Sequence, residues 1–369
     1  MFFKEIQVIG EENLPKEGPV IVSGTHNGQF VDAGMMIIAL QRKVNLVIAM
    51  KSTKLKLLGV FLRFLNLIPT ERPIDKKKKG MGFIVKIDGR QVKGLKTSFK
   101  KQVKPKDLIK LISSGEELVV ESVESNTEIT LKKPYSSVID DSKELYDVLP
   151  KINQEQVFKN VFRNLLKNRC LGIFPEGGSH DQPRVMPLKA GACVFVWGSY
   201  MQYQKKVPMV EIGINYFGCH RFRSKVVVNI GKPRYYDFDI ERKDDADYKR
   251  ATIDKMMVDL KTSLEAVRIV APSYNELLGL YCAHKIYIPT NVELGSEKDF
   301  KLFKKFSSAY LKIKDDPEVK QFAVEIDSFR KKIKSLGLKV EEIKNLELTF
   351  SIGMIQYIKR TIFFFVLVS

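Results

Sequence analysis

Cysteine is scarce. Four occur in 369 residues, at positions 170, 193, 219 and 282, and no two form a Cys-x-x-Cys pair. That disfavours a disulfide framework and a zinc knuckle, and a reducing compartment fits better. Histidine is equally scarce, with four residues and no His-Glu-x-x-His spacing, which speaks against a zinc hydrolase. There is no Gly-x-Ser-x-Gly elbow, so a serine hydrolase of that type is disfavoured. The start, Met1-Phe2-Phe3-Lys4-Glu5, lacks the apolar core of a signal peptide. A membrane span needs about 20 apolar residues. The best candidate, Thr361 to Ser369 after Lys359 and Arg360, is too short to cross alone and leaves a peripheral membrane contact open. Acidic residues fall short of basic ones, 43 against 62, for a net charge of +19. The surplus points to an anionic partner (nucleic acid, an anionic membrane or a phosphorylated substrate) without choosing among them.

What is present is a globular composition, 44% hydrophobic and 28% charged. The length suits two to three units at about 150 residues each. Pro19 to Gly24 and Asn45 to Met50 read as buried strands, with a turn at Asn27-Gly28 and an apolar helix from Asp32 between them. A greasy helix is predicted over Lys54 to Leu67, and a short strand over Leu67 to Thr70. From about 82 to 134 the pattern turns β-rich, with a hairpin at Asp88-Gly89 and paired strands at Glu117 to Val123 and Glu128 to Leu131. Helical patterning is read from Ser142 through Lys167. A strand over Leu171 to Phe174, a helix over Ala190 to Tyr203 and strands over Val207 to Tyr216 and Ser224 to Ile230 follow. Beyond about 244 the chain reads as mostly helical. Strands alternating with helices outside the β-rich stretch predict an α/β fold, whose functional positions lie after the strands.

Two loops in such positions carry candidate chemistry. His26 and Asp32 stand six residues apart, so on one continuous helix they would point apart; with His26 in the turn and Asp32 at the helix start they can meet. A carboxylate on one ring nitrogen makes the other a general base. The alternative is a surface-loop histidine and a helix-capping aspartate. In Phe174-Pro175-Glu176-Gly177-Gly178-Ser179-His180, a carboxylate beside two glycines after a strand lets backbone amides approach a ligand. The alternative is a plain glycine-rich turn. It is not a P-loop, because Gly178 stands where the lysine belongs. Cys170 and Cys193 sit in apolar stretches and read as buried structural thiols. His220 lies in a basic turn and reads as a surface residue. Arg72, between an apolar strand and Pro73, suits a phosphate better than Lys76 to Lys79, which read as a solvated loop. The helix around Leu57 to Leu67 reads equally as core or as an interfacial helix on anionic lipid.

Together these segments resemble the glycerol-phosphate acyltransferase superfamily that includes bacterial PlsC. Its four motifs correspond to His26/Asp32, to Ile68 through Arg72, to Phe174 through Gly177, and to Val207 through Tyr216. The chain is more closely similar to fungal-type glycerol-3-phosphate/dihydroxyacetone-phosphate acyltransferases of the endoplasmic reticulum. The carrying segments are His26 to Asp32, Phe174 to Asp181, Pro187 to Gly191, Asn215-Tyr216-Phe217 with Arg221 to Ser224, the β-rich insert, and Ala309 to Pro317. There are three departures. Five residues, not four, separate His26 from Asp32, as in the fungal subgroup. Pro208 lies three residues before the position of the family proline, near Glu211. The fungal proteins carry membrane spans at both ends, whereas here the C-terminal apolar run is short.

The resemblance implies a glycerol-3-phosphate acyltransferase-like αβ fold with a small β insert and a helical C-terminal region. The implied boundaries are 1–81 and 142–243 for the acyltransferase domain, 82–141 for the insert and 244–369 for the helical region. It implies acyl transfer from acyl-CoA, as co-substrate and without other cofactor or metal, to the 1-hydroxyl of glycerol 3-phosphate or of dihydroxyacetone phosphate. His26 and Asp32 would be catalytic. Arg72, Glu176, Gly177, Gly178, Ser179 and Lys189 would bind substrate: Glu176 an acceptor hydroxyl, Arg72 the phosphate, the glycine loop an oxyanion, and Lys189 phosphate or CoA. The implied setting is a membrane surface, that of the endoplasmic reticulum, with the catalytic domain facing the cytoplasm and no nucleic acid bound. The competing readings are a 1-acyl-glycerol-3-phosphate acyltransferase and a non-catalytic basic protein that binds lipid or nucleic acid.

Overall fold

A computed structural model describes residues 3–50, 66–137, 139, 143–152, 155–217, 223–289, 292–338 and 340. The greasy helix predicted over 54–67 falls almost wholly outside the described residues, as do Cys219, His220 and the run 361–369. The chain is mixed α/β and forms two compact units, residues 1–44 with 164–369, and residues 45–163. The strands in chain order are β1 (Glu5–Ile9), β2 (Val20–Gly24), β3 (Val44–Ala49), β4 (Asn66–Thr70), β5 (Lys78–Lys79), β6 (Phe83–Asp88) and β7 (Gln91–Leu95). Then come β8 (Leu108–Leu111), β9 (Glu117–Val123), β10 (Glu128–Leu131), β11 (Tyr146–Leu149), β12 (Cys170–Ile173), β13 (Met209–Phe217) and β14 (Lys225–Ile230).

In the first unit the strands lie in the order β1-β14-β13-β2-β12. Neighbours are parallel except β13 and β14. All five residues of β2 are buried, as expected of a parallel strand covered on both faces, which needs no polar alternation. The helices Phe30–Leu40 and Ala246–Val267 pack on β13, and Gly191–Tyr203 packs on β2. Ile212 of β13 stands opposite Gly24, and Ile173 of β12 opposite Ser23. The carboxyl ends of β2, β12 and β13 therefore share one edge, the position where open α/β sheets build their sites. β1 is absent from the sequence prediction. It is an edge strand of five residues, all of them partly buried.

β13 also receives the chain that leaves the long helix Ala246–Val267. Asn215 donates through Nδ2 to Gly213 O at 3.1 Å and accepts the Ile269 N–H at 2.9 Å. Gly213 lies so near that segment that a Cβ would stand 2.1 Å from Val267 O. At the start of β13, Pro208 O accepts the Ile21 N–H at 3.0 Å. Where the family proline belongs, Glu211 is buried and bonded to Arg234 at 2.7 Å. Burial pushes its carboxyl pKa up, against the pull of Arg234. Phe300 and Phe303 of the helix Ser296–Ile313 and Leu280 of the helix Tyr274–Tyr287 close a core over Val227 of β14.

In the second unit β3 and β4 pair in parallel. An antiparallel sheet follows in the order β5-β11-β8-β9-β10-β7-β6. Its core contains Ile84, Ile87, Phe99, Ile109, Leu111, Ile129 and Tyr146. Two of its strands lie outside 82–141. β5 comes from the lysine run read as a solvated loop, and its two residues are exposed. β11 replaces the start of the helical reading at 142–167; the helix is Glu155–Leu166. Tyr146 to Leu149 are all buried, and tertiary burial outweighs local helical patterning there.

Gly213→Ala should lower stability by about 1–3 kcal/mol, because the added methyl meets rigid backbone. Gly34, inside the helix Phe30–Leu40, has open space at its Cβ position. Gly34→Ala should leave the thermal midpoint unchanged or raised. Thermal unfolding of the two variants side by side checks the pair.

Candidate active site

His26 follows β2 by two residues, and Asp32 sits in the first turn of the helix Phe30–Leu40. The turn between them closes through Val31 N–H to Gly28 O at 3.0 Å, and Gln29 holds φ 54°, ψ −126°. That backbone is one non-glycine residues seldom adopt, and it persists only where surrounding contacts over-determine it. The turn brings His26 Nδ1 to 2.9 Å from Asp32 Oδ2. Asp32 is fully buried while the His26 side chain keeps 21% exposure. With the carboxylate as acceptor, the proton resides on Nδ1 and Nε2 keeps its lone pair. Phe174, just past β12, stacks on the imidazole with ring centroids 4.5 Å apart.

Asp32 has two more donors. The Gly28 N–H reaches Oδ2 at 2.7 Å, and the Tyr216 hydroxyl reaches Oδ1 at 2.5 Å. Any side chain at position 28 would put its Cβ 2.8 Å from Tyr216 Oη and 2.9 Å from Asp32 Oδ1, so glycine is required there for space.

Glu176 is also buried. Expected to face an acceptor hydroxyl, it instead binds protein with both oxygens. Oε2 accepts the His26 N–H at 2.7 Å and Oε1 accepts the Met186 N–H at 3.0 Å. His180 Nε2 lies 2.8 Å from Oε1, close enough for an ion pair but not aligned as a hydrogen bond. Glu176 thus ties the histidine loop to the loop after β12. The Gly177 N–H closes a turn onto Phe174 O at 3.0 Å, so it is not the open amide the sequence suggests. Gly178 and Ser179 are exposed, and their amides have no partner among the described residues. Lys189 is exposed and lays its stem over Gly177, at 2.8–2.9 Å from where a Cβ would be. Gly177 itself sits at φ +70°, where a side chain is strained in any case.

Arg72 belongs to the second unit. Its guanidinium binds Asp75 through Nε at 2.8 Å and Nη2 at 2.9 Å, and this partner raises its pKa. Its link to an acceptor phosphate rests on the motif and not on this geometry. Cys170 and Cys193 are buried, and burial pushes both thiols up to about 12, which removes them as nucleophiles at neutral pH.

Sequence reasoning missed three contributors: Tyr216, His180 and Arg268. Arg268 is 7% exposed, donates through Nη2 to Gln182 O at 3.3 Å, and leaves Nη1 without a partner. Asn27, next to His26, donates to the same Gln182 oxygen at 3.1 Å. Burial lowers the Arg268 pKa, and the charges of Glu176 and Asp32 pull it up. Tyr216 had a signal, its place in Asn215-Tyr216-Phe217 after a strand; Arg268 had none.

Residues 5–97 match the family model described as Acyltransferase. Residues 280–369 match the Glycerol-3-phosphate acyltransferase 2 C-terminal domain. The chain therefore carries an acyltransferase domain followed by a glycerol-3-phosphate acyltransferase 2 C-terminal domain. Glycerol-3-phosphate O-acyltransferase 1 of Saccharomyces cerevisiae is 30% identical over 96% of the chain and 50% of the relative. Glycerol-3-phosphate O-acyltransferase 2 of the same yeast is 27% identical over 95% of the chain and 51% of the relative. An uncharacterized acyltransferase of Schizosaccharomyces pombe is 29% identical over 96% and 54%. The chain thus spans about half the length of the curated relatives it matches. The crystal structure of the 1-acyl-sn-glycerophosphate acyltransferase PlsC from Thermotoga maritima overlaps 70% of this chain and 73% of its own, at 13% identity and a TM-score of 0.32, too loosely to carry an argument.

Gly28→Ala should force the Tyr216–Asp32 contact apart and cut acyl transfer more than it cuts stability. Tyr216→Phe removes one hydrogen bond to a charged group, worth about 1.5–3 kcal/mol, and leaves two donors in place. Its rate should fall less than that of Gly28→Ala. Turnover and thermal midpoints of both variants test the ordering, and rates in both equal to that of the unaltered chain would show that the geometry around Asp32 is unimportant.

Proposed function

We propose that the chain transfers an acyl group from acyl-CoA to the 1-hydroxyl of glycerol 3-phosphate, releasing 1-acyl-glycerol 3-phosphate and CoA, with dihydroxyacetone phosphate as a second acceptor. The observation that carries this reading is the His26–Asp32 pair, anchored at Nδ1 and partly open to solvent. The names of the two yeast relatives support the choice of acceptor.

In the step, His26 Nε2 takes the proton of the acceptor hydroxyl as its oxygen attacks the thioester carbonyl. Asp32 holds the imidazolium that forms. General-base assistance of this kind contributes about 10²–10⁴-fold. The tetrahedral oxyanion faces the amides of Gly178 and Ser179; one such donor is worth about 2.7–4 kcal/mol. Collapse breaks the C–S bond, and the CoA sulfur leaves with the proton held by His26. Glu176 acts by holding the His26 backbone, and Arg268 by balancing the two carboxylates. Lys189, exposed at the loop, offers a cation to the phosphates of CoA.

The reading extends to a membrane-associated setting, the cytoplasmic face of the endoplasmic reticulum. The net charge of +19 suits an anionic surface. Phe30, 61% exposed, and Ile38, 48% exposed, on the helix that carries Asp32, present apolar surface beside the site. Among the described residues no helix is long and apolar enough to cross a bilayer.

Thiol release from palmitoyl-CoA is the test, with glycerol 3-phosphate, dihydroxyacetone phosphate and 1-acyl-glycerol 3-phosphate offered in parallel. Release should depend on either of the first two acceptors and fall about 10²–10⁴-fold in His26→Ala, with the variant still folded at the assay temperature. Release with 1-acyl-glycerol 3-phosphate alone would reassign the substrate. Near-normal release by His26→Ala would remove the base assignment.

A further inference from the structure

The second unit carries a cavity of about 620 Å³ on the outer face of its sheet, within the range of sites that hold one small ligand. Leu108 and Val119, cross-strand partners of β8 and β9, form an aliphatic floor with Ile152 beside them. Three lysines, 106, 132 and 151, rim it. They are far apart in sequence but are set by bonds converging on one short stretch of sheet. Lys106 N–H donates to Val120 O at 2.8 Å, and Lys132 N–H to Val119 O at 2.9 Å. Lys151 N–H donates to Asp107 Oδ1 at 2.8 Å. Asp107 is buried, and its other oxygen accepts the Lys104 N–H at 2.9 Å. The three lysine side chains have no acidic partner among the described residues. The one acid at the rim, Glu121, is paired with Arg90.

Cations at the rim and aliphatic carbon on the floor complement a ligand with an anionic head and an alkyl body. The described lining contains no aromatic ring on which a base would stack, which disfavours single-stranded nucleic acid. We propose that this cavity binds a single-chain alkyl phosphate, the phosphate among Lys106, Lys132 and Lys151 and the chain on Leu108, Val119 and Ile152. The site stands without the acyl-transfer reading.

The full chain bearing Val119→Trp reports on the cavity, since the one native tryptophan, Trp197, is buried in the other unit. Dodecyl phosphate, below its micelle concentration, should shift the new emission saturably. Binding should weaken about tenfold or more in Lys106→Gln/Lys132→Gln/Lys151→Gln, the loss expected from three partly exposed ion pairs. In the unaltered chain dodecyl phosphate should protect those lysines from acetylation, read by mass spectrometry, which keeps the test valid should Val119→Trp disturb the fold. Equal affinity of the triple variant, an equal response to uncharged dodecyl maltoside, or stronger protection by oligouridylate would each overturn the proposal. Lysine protection with no thiol release would leave this site standing and remove the catalytic reading; thiol release without protection would do the reverse.

Discussion

A carboxylate with no exposed surface must be fully hydrogen-bonded or it destabilises the fold. Asp32 is that carboxylate here, and its three donors come from two parts of the chain: an imidazole and a backbone amide of the turn after β2, and a phenol from β13. Each donor fixes something the chemistry uses. The imidazole donor sets the tautomer. The Gly28 amide sets the turn that lets a six-residue spacing close. The phenol ties the helix start to the sheet. A buried cation, Arg268, supplies charge balance for Asp32 and Glu176 together.

β13 is the element through which these demands are met. Gly213 gives room for the chain leaving the long helix, Asn215 binds that chain on both of its polar atoms, and Tyr216 reaches Asp32. The bond from Asn215 to the Ile269 amide places Arg268 in sequence beside a fixed point. A short stretch of one strand therefore positions the acid's phenolic donor and the acid's counter-charge at once. The Glu211–Arg234 pair further down the strand is a separate buried charge pair, anchored through Arg234 to Asp259 O at 2.7 Å.

The parts of this arrangement legible in the sequence are local ones. Apolar runs followed by polar loops located β2, β12 and β13, and the parallel order of such strands placed His26 and Glu176 at one edge. The Asn27-Gly28 turn was visible, and with it the route by which His26 meets Asp32. Less legible was what each group would bond to, because those bonds span 150 to 184 residues. Glu176 follows a strand beside two glycines, a placement that suits a ligand as well as it suits a structural tie. Only the positions of His26 N and Met186 N distinguish the two. Arg268, at the end of a long helix, resembles any helix-terminal arginine until Gln182 and Asn27 are seen beside it. β5 and β11 fail for another reason: two exposed lysines and a four-residue strand are too short to show a period.

The same distinction explains where the excess positive charge belongs. A surplus of +19 is a bulk quantity and cannot say which lysines are compensated. In the structure, Lys77 is bound to Asp147, Lys285 to Asp299 and Lys225 to Glu5, so these charges are already answered within the protein. Lys106, Lys132 and Lys151 are not, and they share one rim because backbone bonds to β9 and Asp107 hold them there. Three lysines without an acidic partner around one aliphatic floor favour an anion that enters. Part of the charge that the sequence shows as diffuse is thus gathered around one aliphatic floor, which is the complementarity that the proposed anionic amphiphile would use.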